Sequence, residues 1–123
     1  MILEIENDGI LNIENTKLET TTINNTISTQ GTVNIYGGTF YSNSNSENVI
    51  IQVDAGNVYI YGGKFENTSA KAINIENDSS EVIIYDVQIP SSSSIDNNSN
   101  SEKVKILGGM IGVIYNNMAG RYC

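Results

Sequence analysis

Apolar residues alternate with polar ones in short bursts along this chain, and the bursts recur. VNIYGGTF at Val33–Phe40 returns as VYIYGGKF at Val58–Phe65, with weaker echoes in LNIENTKL (Leu11–Leu18), VIIYDVQI (Val82–Ile89) and VKILGGMI (Val104–Ile111). In the full copies the Val-x-Ile core has period two, which predicts a strand with one buried face. The first residues of successive copies lie 22, 25, 24 and 22 positions apart. A period of that length, with β-branched residues at its fixed points, predicts a solenoid that stacks one coil per repeat.

In the second copy Val33 and Ile35 are expected to face inward and Asn34 and Tyr36 outward. Gly37-Gly38 ends the run, because consecutive glycines permit the positive φ of a sharp corner. Phe40 then returns to the inside. The equivalent inward sets are Leu11, Ile13, Leu18, then Val58, Ile60, Phe65, then Val82, Ile84, Ile89, then Val104, Ile106, Ile111. Stacked at about 4.8 Å, each set becomes an apolar column.

A second apolar segment precedes each main strand: Leu3–Ile5, Ile23–Ile27, Val49–Val53, Ala72–Ile75 and a poor one near Ile95. Turn-forming Asn, Asp, Ser and Gly separate the two segments. The loops Tyr41–Asn48 and Pro90–Lys103 absorb the variation in repeat length. The second reads as the least structured part of the chain, leaving little to form a strand beside Ile95. Pro90, the only proline, follows a strand end, where a missing amide donor costs least. Residues 112–123 read as a C-terminal cap or partial rung. Residues 1–123 thus form one all-β domain, with coils anchored at Leu11, Val33, Val58, Val82 and Val104, and five coils span about 24 Å at the strand spacing.

Composition agrees. Asn, Ser and Thr supply 40 of 123 residues, and Ile and Val supply 27 against 4 Leu, a bias toward turns and pleated surfaces and away from helix. The formal charge is −8, with six basic residues and no His. Such an acidic surface repels phosphate backbones and anionic lipid, so neither nucleic acid nor membrane is an expected partner. No stretch approaches the roughly 18 apolar residues of a membrane span. MILEIENDG has neither the basic region nor the apolar run of a secretion signal, so the leader of an exported form has been removed or lies outside these residues. Cys123, the single cysteine, has no internal disulfide partner and no metal-ligand spacing. Four glycosylation sequons, at Asn24, Asn67, Asn77 and Asn97, are about what so much Asn, Ser and Thr produces by chance under the tripeptide rule.

On VNIYGGTF and VYIYGGKF the chain resembles the V-x-I-x-G-G-x-F repeats of right-handed parallel β-helix proteins of the pectate-lyase-like superfamily, found in bacterial surface proteins and phage tail spikes. The resemblance extends over Leu11–Ile111 at coil level. Asn15-Thr16 and Asp86-Val87 replace the glycine pair in the first and fourth copies. It implies an all-β, single-stranded right-handed parallel β-helix, a β-solenoid of about five coils. Because that superfamily includes lyases, hydrolases, adhesins and inert fibres, it does not fix an activity.

Chemistry is sparse. Asp54 and Asp78 each lie four positions before a strand anchor, with Asn100 at the same offset one coil on. Such a column offers oxygen ligands to Ca²⁺, although Asp and Asn are also the preferred turn formers there, and no cofactor is expected. The only arginine is Arg121, and without His the commonest general base is missing. The distinctive feature faces outward: Tyr36, Tyr61 and Tyr85 share one position in three consecutive coils, beside Tyr59 and Ile83 in the neighbouring column. These five make an aromatic-aliphatic stripe suited to sugar rings or to another copy of the chain. The expectation is a non-catalytic extracellular or cell-surface solenoid that self-associates head to tail as a fibre subunit or acts as an adhesin. The alternative is a carbohydrate-binding or depolymerase module related to phage tail spikes, with the tyrosines as its platform.

Overall fold

The computed structural model describes residues 3–20, 25–42, 49–66 and 70–117, and every helix or strand assigned among them is a β-strand. The strands wind into a parallel β-solenoid of five turns with three strands per turn. The first sheet stacks β1 (Leu3–Ile5), β4 (Ile27–Thr29), β7 (Val49–Val53), β10 (Lys71–Ile75), β13 (Ile95–Asn97) and β16 (Ile114–Asn116). The second stacks β2 (Ile10–Ile13), β5 (Thr32–Ile35), β8 (Asn57–Ile60), β11 (Glu81–Ile84) and β14 (Val104–Ile106). The third stacks β3 (Lys17–Thr20), β6 (Thr39–Ser42), β9 (Lys64–Glu66), β12 (Gln88–Ile89) and β15 (Met110–Ile111).

The columns are those the repeat predicts. Leu11, Val33, Val58, Val82 and Val104 are register partners, as are Ile13, Ile35, Ile60, Ile84 and Ile106. Ile27, Ile51, Ile73 and Ile95 form the matching column of the first sheet, all essentially inaccessible to solvent. Phe40 and Phe65 stack in the core with ring centroids 5.0 Å apart. Burial of these side chains, about 1.5–3 kcal/mol each, is the main force holding the coils together.

Three details differ from the expectation. First, the segment after each corner is a strand of its own. Leu18, Phe40, Phe65, Ile89 and Ile111 face inward as expected, but from a third sheet, where two apolar segments per coil were expected. Second, the first-sheet strand of the second coil is Ile27–Thr29; Ile23 lies outside the described residues. Third, Pro90–Lys103 is built into the coil, with half of its residues buried. Ile95–Asn97 forms β13, fully buried, and Ser93, Ser99 and Ser101 are buried as well. Hydrogen bonds replace apolar contact there: Ser93 Oγ donates to the Ala70 carbonyl, Ser101 Oγ to the Ser80 carbonyl at 2.5 Å, and Ser99 Oγ to Asn97 Oδ1 at 2.6 Å. The C-terminal segment adds a rung, β16, to the first sheet; residues 118–123, with Arg121 and Cys123, lie outside the described residues.

A polar ladder runs up the first sheet. Asn117 Nδ2 donates to Asn98 Oδ1 (2.8 Å), Asn98 Nδ2 to Asn74 Oδ1 (2.6 Å), Asn74 Nδ2 to Gln52 Oε1 (3.0 Å), and Gln52 Nε2 to Asp54 Oδ1 (3.0 Å). Asn98 and Asn74 each accept from the coil above and donate to the coil below, and Gln52 turns the series onto Asp54 of its own coil, a carboxylate, which only accepts.

The glycine pair divides its work. The second position carries the positive φ, 114° at Gly38, 130° at Gly63 and 112° at Gly109. At the first, a Cβ on Gly37 would sit 2.7 Å from the Glu14 carbonyl oxygen of the coil beneath. Val87 stands at the second position in the fourth coil, without a positive φ, and buries its side chain there.

Candidate functional site

The stripe expected on the outer face of the second sheet assembles as a geometric object. Tyr36, Tyr61 and Tyr85 each follow the last residue of β5, β8 or β11, and their amides donate to the carbonyls of Ile13, Ile35 and Ile60 one coil back. This backbone register superimposes the side chains. Ring centroids are 5.1 Å apart for Tyr36–Tyr61 and 4.9 Å for Tyr61–Tyr85, with interplanar angles of 7° in both. The rings remain 51%, 43% and 43% exposed, and Leu107, next in the column, is 62% exposed.

Tyr59 and Ile83 are register partners in the adjacent outward column, between Asn34 and Lys105. Tyr59 differs from the ladder tyrosines in its polar environment. Its phenol donates to Glu81 Oε1 at 2.5 Å, across one coil. That bond pushes its pKa up to about 12, with desolvation and the nearby carboxylate charge adding to the effect. Below that column, Asn34 Nδ2 donates to Asn12 Oδ1 at 3.0 Å.

The ladder's geometry limits what it can hold. Tyr61 has a ring against each of its faces, and Tyr36 and Tyr85 each have one face covered. Along the middle of the ladder the exposed part is therefore a row of ring edges and phenol groups, and only the outer faces of Tyr36 and Tyr85 have no ring against them. A sugar that stacks on an aromatic needs an open face, whereas a row of edges fits a neighbouring ridge of side chains.

The two acids weighed for metal binding are engaged in the turns. Asp54 Oδ1 accepts from Gln52 Nε2, and Asp78 Oδ1 accepts the Asn100 backbone N–H at 2.9 Å. They do not share a rung: Val53 pairs with Ile75, so Asp54 is level with Glu76, while the turn holding Asp78 is two residues longer. Among the described residues, no group of three or more acidic, His or Cys side chains is placed to hold a metal ion.

A second constellation was not apparent from the repeat. Lys71 on β10, Ser94 and Asp96 at β13, and Tyr115 on β16 line a cleft of about 250 Å³ with Ser91–Ser93 and Val113. Reading Pro90–Lys103 as loose loop concealed it. The signal lay in the coil register, which brings Asp96 level with Asn74 below and Tyr115 above. Compared with known proteins, the chain matches no family model, no curated protein and no solved structure.

Proposed function

We propose that this chain is a non-catalytic structural β-solenoid of the extracellular space or cell surface, a fibre subunit or adhesive element that associates with its own kind. The observation that carries the reading is the pair of open ends. Among the described residues, β1, β2 and β3 at one end and β14, β15 and β16 at the other each pair on one side only. The apolar columns run through to both ends, with Leu3, Leu11 and Leu18 partly buried at one and Val104, Ile106 and Ile111 at the other. Ile114 on the last rung is half exposed, and a hollow of about 220 Å³ opens beside it, where Ile95, Val104 and Ile106 meet Asn97, Ser101 and Glu102. Where such edges stay uncovered over apolar columns, they favour end-to-end addition, a heterologous contact that propagates.

The repeat resemblance to pectate-lyase-like surface proteins supports the extracellular placement. The tyrosine ladder supplies a lateral contact of ring edges between neighbouring rods. Against both contacts stands a net charge of −8, whose repulsion salt screens over a length of about 8–10 Å at 0.1–0.15 M.

Sedimentation velocity over a concentration series, paired with electron microscopy, tests the reading. The expected outcome is concentration-dependent rods that lengthen with added salt and shorten in Ile114→Lys. A folded species that stays monomeric at the highest concentration and salt refutes it.

A further inference from the structure

We propose that the cleft between the Ser91–Ser94 turn and β16 binds a neutral sugar ring, with Tyr115 as its apolar wall and Lys71, Ser94 and Asp96 as its polar one. Asp96 and Tyr115 are register partners on adjacent strands. Their side chains therefore leave the same face of the first sheet, one rung apart, at a spacing of about 4.8 Å. Tyr115 takes part in no ring pair among the described residues and is 52% exposed. No neighbouring aromatic ring covers it, unlike Tyr61, which has a ring against each face.

One rung below the ring, on the same face of the sheet, lies a built polar group. Asp96 and Ser94 are both buried, and Ser94 Oγ donates to Asp96 Oδ1 at 2.5 Å. Lys71 Nζ lies 3.6 Å from Asp96 Oδ2, with its side chain about one-third exposed at the cleft rim. The carboxylate retains acceptor capacity after these contacts, and the ammonium has three donors of which Asp96 engages at most one direction. Donors and acceptors thus alternate across a few ångströms.

The charges identify the ligand class. Lys71 and Asp96 cancel, so the cleft has no net attraction for a phosphate or a metal cation, in a protein whose overall charge of −8 repels anions. A neutral ligand rich in hydroxyls matches the mixed donors and acceptors, and the C–H face of a pyranose matches the phenol ring. The cleft, about 250 Å³, falls just below the roughly 300–1,000 Å³ typical of small-molecule pockets, which suits one ring with the rest of a glycan outside. This site does not depend on self-association, since every residue of it comes from one copy.

Saturation-transfer NMR on the full chain tests the proposal. The probes are the methyl glycosides of glucose, galactose, mannose and N-acetylglucosamine, each with its tetrasaccharide, and inorganic phosphate and galacturonate as charged controls. At least one neutral glycoside is expected to bind. Tyr115→Ala weakens it about tenfold, the equivalent of about 1.4 kcal/mol, Tyr115→Phe retains it, and Tyr61→Ala leaves it unchanged. Tyr115 is exposed on a terminal rung, and circular dichroism checks that Tyr115→Ala folds; if it does not, Lys71→Met, which removes a donor at the rim, carries the comparison. A tetrasaccharide that binds no better than its monomer confirms a one-ring site. The proposal is overturned by no neutral glycoside binding, by binding that survives both Tyr115→Ala and Lys71→Met, by binding lost in Tyr61→Ala instead, or by binding of the charged controls alone.

Discussion

Tyr59 donates its phenol to Glu81 one coil above, at 2.5 Å, from a half-buried position on the outer face of the second sheet. Glu81 is itself the register partner of Asn57, whose Oδ1 accepts the Glu81 backbone N–H at 3.1 Å. Two side-chain bonds therefore tie the third coil to the fourth beside the tyrosine ladder. They also separate Tyr59 from the other tyrosines chemically, although all belong to one stripe in the sequence.

This relationship predicts a pH dependence. The fold favours the protonated phenol, because a phenolate would lose its bond and face a carboxylate. The folded pKa of about 12 exceeds the ordinary value of 10.0. Below pH 10 the contribution is fully present, and it is lost as pH rises from 10 through 12. Spectrophotometric titration is expected to show one late phenol in the folded chain, absent in Tyr59→Phe and shifted back toward 10 in Glu81→Gln. Tyr59→Phe costs about 1 kcal/mol at neutral pH, the usual worth of a partly exposed hydrogen bond. A Glu81→Gln titration that matches wild type would break the assignment.

The ladder predicts an ordering of stabilities. Tyr61 stacks on both sides, while Tyr36 and Tyr85 each stack on one. With about 0.5–1.5 kcal/mol per aromatic pair beyond burial, Tyr61→Ala is expected to cost roughly twice what Tyr36→Ala does, and Tyr61→Phe little. Urea denaturation midpoints measure this directly. Equal losses for the three alanine variants would mean that stacking contributes nothing.

Two glycines separate steric from conformational demands. Gly56 has φ +78° and a Cβ there would sit 1.9 Å from the Gly31 carbonyl oxygen; Gly63 has φ +130° but its nearest neighbour would be 3.6 Å away. Gly63→Ala incurs backbone strain of about 1–3 kcal/mol. Gly56→Ala adds a collision between the backbones of adjacent coils, which cannot be relieved without parting them. Thermal melts are expected to show a folded, weakened Gly63→Ala and no cooperative transition in Gly56→Ala. The opposite order would contradict the coil spacing at that corner.

Legibility in the sequence followed hydrophobicity. Val33, Ile35 and their counterparts announce the second sheet because period two and the 22–25-residue spacing coincide there. The third sheet was only partly visible: Ile89 is the single inward residue of a two-residue strand, and in β6 the second inward position after Phe40 is the polar Ser42, so neither displays an apolar alternation. Hydropathy gave only a poor segment near Ile95 for β13, because Asn97 and Ser99 are buried through hydrogen bonds to one another rather than through apolar character. The tyrosine stripe could be placed from repeat position alone, but not the covering of its faces, which depends on ring orientation. The Lys71–Asp96–Tyr115 cleft depends on register across three coils, including the one read as loop.

The amide ladder gives a test with a sign. Asn74 is buried; its Nδ2 donates to Gln52 Oε1 at 3.0 Å and to Glu76 Oε1 at 2.8 Å, while its Oδ1 accepts from Asn98. Asn74→Asp keeps the acceptor for Asn98 and replaces the donor with a second oxygen facing two others, one of them on a carboxylate. The introduced carboxyl is therefore held neutral more readily in the folded state than in the unfolded one, where its pKa is about 3.9. At pH 7 it is ionised in the unfolded chain, and the variant is expected to lose about 2–3 kcal/mol relative to wild type. As pH falls through its raised folded pKa, the proton restores a donor toward Gln52 or Glu76, and the deficit shrinks. Asn74→Ala leaves Gln52, Glu76 and also Asn98 without their bonds and gains nothing from acid. Urea unfolding of the two variants and wild type at pH 7 and pH 4 separates the cases: a deficit in Asn74→Asp that does not narrow at the lower pH means that the ladder does not run in the direction described.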